Sequence, residues 1–153
     1  MSLLWDCETA LTPELYQQTL ELCGGSQSVI AERARWVQLQ AWRKVYAAGL
    51  HRATGRWKLG AHEWHVFSFS HVRRAVHGAR AFAAYLAEKP VAFVVCPERT
   101  ELPAVSVDRG ELPAFRFQCE DILVWTPDLA WTMAFTHEDS VGLGPYFCQR
   151  EWV

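Results

Sequence analysis

The chain has 153 residues, 50% of them hydrophobic, with eight Trp, eight Phe and four Tyr, which is enough apolar area for one well-filled core and too little chain for two domains. Its formal charge is −2 and its five cysteines contain no C-x-x-C pair, so the odd count favours reduced thiols in a cytoplasmic protein over a disulfide scaffold. A membrane span and a secretory signal are both disfavoured: VAFVVC (91–96) stops at Pro97, and the opening MSLLWDCETA has no Lys or Arg and meets Asp6 directly after LLW.

The predicted elements begin at Thr12. A hydroxyl N-cap, Pro13 at the first helical position and Glu14 near the positive dipole end start a helix over 12–23, which Gly24 and Gly25 close. Ser28 is expected to cap a longer helix over 28–48, where Ile30, Ala34, Val37, Ala41, Val45 and Ala48 make one apolar stripe. Leu39, Trp42 and Tyr46 fall on nearly the opposite side, so this helix is either sandwiched or shows a face to a partner. Residues 49–62 read as a basic, glycine-rich loop.

EWHVFSF (63–69) alternates like a strand, a helix follows over 74–88 with Gly78 as an alternative start, and 91–96 is apolar on both faces like a central strand. These segments predict a strand-helix-strand crossover, right-handed if its strands are parallel. A short strand is expected at 104–107. Strands at 121–126 and 129–136 form a hairpin about the turn Thr126-Pro127-Asp128-Leu129. With Thr126 opposite Leu129, the residues Ile122, Val124, Leu129, Trp131, Met133 and Phe135 share one face, with His137 at its outer end, and Leu123, Trp125, Ala130, Thr132, Ala134 and Thr136 the other. The expected fold is α+β: a single domain over 1–153 with a mixed sheet of 4–5 strands, two N-terminal helices and one crossover helix.

Charge is unevenly spread. From 33 to 86 there are ten Lys or Arg against the single acid Glu63, while the flanking segments are acidic. Mutual neutralisation on folding is the first explanation. An anionic partner is the second: Arg35, Arg43, Lys44, Arg52, Arg56 and Lys58, interleaved with Trp residues, are the material of a nucleic-acid or other polyanion surface.

No phosphate loop, nucleophile elbow, dinucleotide fingerprint or H-E-x-x-H is present. H-E-W-H (62–65) has the residue types of a metal site, but a strand would send His62 and His65 to opposite faces, whereas a helix would let them share an ion. His65, His137 and Glu138 remain as an acid/base or metal-binding set across neighbouring strands. The structural reading of that end is an anchored chain reversal, in which Glu138 accepts backbone N–H bonds from the glycine-containing loop after it. Cys148 could act as a nucleophile only with a base such as His137 beside it.

W-H-V-F-S (64–68), Gly78 with Ala81-Phe82, the strand 92–96, and T-H-E (136–138) leading to G-P-Y-F (144–147) resemble an uncharacterised bacterial family, one of the domains of unknown function, over about residues 28–148. The resemblance implies a small cytosolic bacterial protein and supplies no activity, substrate or cofactor. The DSVGL loop and the tail from Cys148 depart from it. The leading expectation is a non-catalytic protein-interaction module or homodimer with Leu39, Trp42, Tyr46 and Trp57 at its contact surface and no cofactor. The alternatives are a small hydrolase or metal-dependent enzyme built on His65, His137 and Glu138, and a polyanion binder.

Overall fold

The computed structural model describes residues 11–48, 62–68, 74–115, 120–139 and 142–153. Thr12 starts α1 (Pro13–Cys23) as a hydroxyl cap: its Oγ1 accepts from the Leu15 N–H at 3.1 Å. Gly24 and Gly25, both at positive φ, then reverse the chain. Gly25 is held there for a second reason, since a Cβ would stand 2.4 Å from the Asp108 carbonyl oxygen.

Residues 26–29, expected to open the long helix, instead form strand β1 (Ser26–Val29). The reversal sets them beside β4 (Val105–Asp108), pairing Ser26 with Asp108 and Val29 with Val105. Inter-strand bonds thus override a Ser cap, and Gln27 turns back to cap α1 through the Leu20 and Gly24 carbonyls. Helix α2 (Glu32–Tyr46) follows, with Ala31 at its N-cap.

The second correction concerns 63–69. Among its described residues the segment is not a strand but a helical turn, α3 (His65–Ser68), in which the N–H groups of His65, Val66 and Phe67 donate to the carbonyls of His62, Glu63 and Trp64. The apparent alternation is broken by Val66 and Phe67, which are adjacent and both buried. Two successive apolar side chains can reach one core from a helical turn, whereas a strand would separate them.

The sheet is antiparallel, not mixed, and larger than the expected 4–5 strands. Among the described residues, besides β1 and β4, it holds β2 (Val76–His77), β3 (Ala92–Pro97), β5 (Ile122–Trp125), β6 (Trp131–Phe135) and β7 (Tyr146–Gln149), seven strands in the order β1-β4-β3-β5-β6-β7-β2. Helix α4 (Ala79–Ala87), capped by Gly78, takes only the later part of the expected 74–88 helix, because Val76 and His77 pair with β7. It does cross between two strands of the same direction, β2 and β3. They are not neighbours: β5, β6 and β7 lie between them, each antiparallel to the next.

Within the hairpin, Trp125 pairs with Thr132 and Ile122 with Phe135, two residues away from the expected register. Asp128 causes the slip by accepting from Thr126 Oγ1 and the Ala130 N–H, and Leu129 takes a positive φ. A slip of two preserves side-chain parity. Ile122, Val124, Trp131, Met133 and Phe135 therefore still share a core, with Tyr16 and Leu20 of α1 and Tyr85 of α4 packed over them, whereas Leu129, expected on this face, packs on the other because it sits in the turn at positive φ. On the other face Val94, Cys96, Leu123, Trp125 and Ala134 meet Trp42 and Tyr46 of α2 and Val66 and Phe67 of α3.

Helices thus cover both faces, and each fully buried large side chain contributes on the order of 1.5–3 kcal/mol. Buried polar tips are matched to acceptors: Trp42 Nε1 donates to Thr132 Oγ1 at 2.9 Å, Tyr46 to the Leu129 carbonyl at 2.7 Å and Tyr85 to that of Pro113 at 2.6 Å. Among the described residues, no helix is long and apolar enough to cross a membrane.

Candidate metal centre

Antiparallel pairing brings several chain ends to one edge of the sheet. The C-terminal ends of β3 and β6 and the N-terminal ends of β5 and β7 coincide there, as the pairs Pro97 with Ile122, Ile122 with Phe135 and Ala134 with Tyr146 require. The next residues outward are Glu98, Asp121 and, beyond Thr136, His137. Turn α3 and the residues leading into it lie against this edge and add His62, Trp64 and His65.

The ring of His62 lies 4.9 Å from that of His137 and 5.3 Å from that of His65, centroid to centroid. Asp121 sits at the centre of the group. Its Oδ1 accepts from Trp64 Nε1 at 2.8 Å and from the His137 N–H at 3.1 Å, and His137 Nδ1 lies 2.9 Å from the same oxygen. His62 Nδ1 stands 3.5 Å from Asp121 Oδ2 and 2.6 Å from Glu98 Oε2. The other Glu98 oxygen accepts the Glu63 N–H at 2.8 Å, which pins the start of the turn to the end of β3. Glu63 is itself buried and gripped by the Arg43 guanidinium through both carboxylate oxygens. Arg43 of α2 therefore holds the turn that presents two of the histidines.

Burial disfavours the charged form of His62. The hydrogen bond to Glu98 and the negative charges of Glu98, Asp121 and Glu138 outweigh it and hold this imidazole above its ordinary pKa. His65 moves the other way, lowered by burial and by the charge of His62. Burial raises Glu98, against its hydrogen bonds from His62 and the Glu63 N–H. The hydrogen bond to Glu98 thus favours the protonated form of His62.

One donor atom each from His62, Asp121 and His137 lies within 4.8 Å of the others. Donors of a tetrahedral zinc ion, bonded at about 2.0–2.2 Å, stand roughly 3.3–3.6 Å apart, so a small inward movement of the rings would close the set on one ion. Two imidazoles with one carboxylate suit zinc or a similar transition metal.

The structure thus joins two of the three expected catalytic residues, His65 and His137, in one cluster. Glu138 contributes its charge toward His62 and His65. Among the described residues Asp139 ties the reversal: its Oδ1 accepts from Thr136 N–H at 3.1 Å and Thr136 Oγ1 at 2.7 Å. The geometry adds Asp121 and Glu98, which no local motif marks.

The expected contact surface is largely interior. Trp42 and Tyr46 are 0% and 1% exposed inside the chain's own core, Leu39 is half-buried against it, and Trp57 lies outside the described residues. Of the expected anion-binding residues, Arg35 is committed to the carbonyls of Leu102 at 2.7 Å, Arg99 at 3.1 Å and Pro97, and Arg43 to Glu63. Lys44 is exposed, and Arg52, Arg56 and Lys58 lie outside the described residues. Cys148 is fully buried, with its thiol pushed up to about 12 by that burial, the opposite of an activated nucleophile. Comparisons with protein-family models, curated proteins and solved structures return no match.

Proposed function

We propose that the chain is a small transition-metal-dependent hydrolase with His62, Asp121 and His137 as the metal ligands. The observation that carries this is the convergence of those three donors on one point at the sheet edge. Three protein ligands leave a coordination position for water, and a bound zinc lowers the pKa of that water to about 7. Glu98 is suited to serve as the base. With an ion held by His62, Asp121 and His137, the metal would supply an activated water for addition to the carbonyl carbon of an ester or amide as its carbon-heteroatom bond breaks, and Glu98, beside His62 at 2.6 Å, would accept the water's proton and pass it to the leaving group.

Protein stripped with chelator and titrated with Co²⁺ tests the ligand set. One equivalent should bind with the visible bands of tetrahedral cobalt, and His137→Ala should weaken binding by about 100-fold or more, the loss of one ligand of three. Absence of binding at millimolar Co²⁺ would remove the proposal.

A further inference from the structure

Glu98 belongs to two places. One carboxylate oxygen lies beside His62, and the residue also borders a hollow of about 660 Å³ between α2 and the adjoining ends of β3 and β5. Concave spaces of about 300–1,000 Å³ suit small molecules rather than protein segments. The walls here are chiefly apolar, formed by Trp36, Leu39, Cys96, Pro97 and Leu123. Trp36 is 63% exposed, so most of its indole is open to a stacking partner. Residues 32, 36, 39 and 43 fall at helical spacing on one side of α2, which carries this apolar floor from Trp36 toward Arg43 and the Glu63 and Glu98 region.

The charges around the hollow cancel, and those inside it are committed. Arg33, Arg35 and Arg43 are balanced by Glu32, Glu63 and Glu98. Arg43 grips Glu63, Arg35 donates to three backbone carbonyls, and Glu98 accepts the Glu63 N–H. Glu32 and Arg33 are exposed at the start of α2, where solvent screens them. A ligand with a full charge would give up water here without meeting an uncommitted counter-charge. An uncharged aromatic ring, by contrast, gains from covering the apolar walls.

We infer that this hollow binds an uncharged flat aromatic group, its ring on Trp36 and Leu39 and its substituent directed toward Glu98. As the identity of a substrate, this rests on the metal-centre proposal above, and the class it names is a neutral aryl ester or amide. Hydrolysis of such a molecule turns the neutral group into a carboxylate, which the hollow holds less well, so binding favours substrate over product. As a binding site, the hollow requires no metal.

The test uses 2-naphthamide as the neutral probe, with 2-naphthoate and 2-naphthylmethylammonium as its charged counterparts, in saturation-transfer NMR on chelator-treated protein with and without added zinc. Naphthamide should bind saturably and each charged probe about fivefold or more weakly in both conditions. Trp36→Ala should weaken naphthamide by about fivefold or more, while Val37→Ala, on the same helix but outside the lining of the hollow, should leave it unchanged. Both side chains are exposed, so these variants keep the fold, which circular dichroism verifies. Lack of saturable naphthamide binding up to roughly 1 mM, tighter binding of either charged probe, or binding that Trp36→Ala leaves unchanged would overturn the inference. On zinc-loaded protein, methyl 2-naphthoate should be hydrolysed to naphthoate and methanol with naphthamide as a competitive inhibitor; no turnover, or turnover that naphthamide leaves uninhibited, would overturn the substrate assignment. Failure of zinc to bind would instead remove the metal centre, while the naphthamide result stands or falls by itself.

Discussion

Two substitutions at Asp121 separate its two roles. Asp121→Ala deletes the acceptor of Trp64 Nε1, and because Trp64 is only 2% exposed its indole N–H is left without water. An orphaned buried donor costs about 1–3 kcal/mol. The lost contacts to His137 add little, since that residue is exposed and water replaces them. At about 2–4 °C of unfolding midpoint per kcal/mol for a chain of this size, metal-free Asp121→Ala should melt roughly 2–12 °C below the parent. Asp121→Asn keeps an oxygen for the indole and should melt within about 3 °C of it. Zinc at 100 times its dissociation constant should stabilise the parent by about 2.7 kcal/mol and neither variant at all. Circular-dichroism melts with chelator and with zinc read all six conditions. A zinc-induced rise in Asp121→Asn, or an unshifted melt for Asp121→Ala, would refute the assignment of the carboxylate to both tasks.

Gly25→Ala should lower stability by 1 kcal/mol or more, about the cost of a strained left-handed residue, with the contact to the Asp108 carbonyl adding to it; urea unfolding at parental stability would contradict the close approach. Arg43→Met leaves Glu63 buried without its partner and should destabilise by roughly 1–3 kcal/mol, less when Glu63→Gln is added, and a double-mutant cycle without coupling would count against the clamp. Burial pushes the Cys23 and Cys96 thiols up to about 11 and Cys148 up to about 12, so the fold favours their protonated forms. That contribution is complete below the unfolded thiol pKa, near about 8.5, and is lost as pH climbs through the folded values. Melting should hold level from pH 7 to 8.5 and fall between 9 and 11, and a level profile to pH 11 would refute it.

The sequence speaks most clearly where a few adjacent residues decide the outcome. Thr12, Pro13 and Glu14 start α1 because capping and dipole effects are local. The hairpin faces were readable even though its register was not, because parity survives a slip of two. Residues 26–29 and 63–68 fail for a shared reason. Their conformations are set by partners far along the chain, β4 for the first and the Trp42, Tyr46 and Tyr146 side of the core for the second, and local propensity does not know of them.

The site divides in the same way. His137 and His65 stood out as residue types, and the H-E-W-H segment carried the right alternative, a helical turn. Asp121 and Glu98 were hidden because each is merely the residue next to a strand end. Only the order of β3, β5 and β6 brings those ends together, and pairing the three apolar segments in antiparallel succession would have exposed them.

The order of the sheet has a consequence for biosynthesis. Both outermost strands among the described residues, β1 and β2, precede every other strand in sequence, while their neighbours β4 and β7 come after them. As the polypeptide leaves the ribosome, the border strands emerge first and must wait for the middle to be made. Closure of the two edges therefore waits on later strands: Ser26 cannot meet Asp108, nor Val76 meet Phe147, until β4 and β7 have been made.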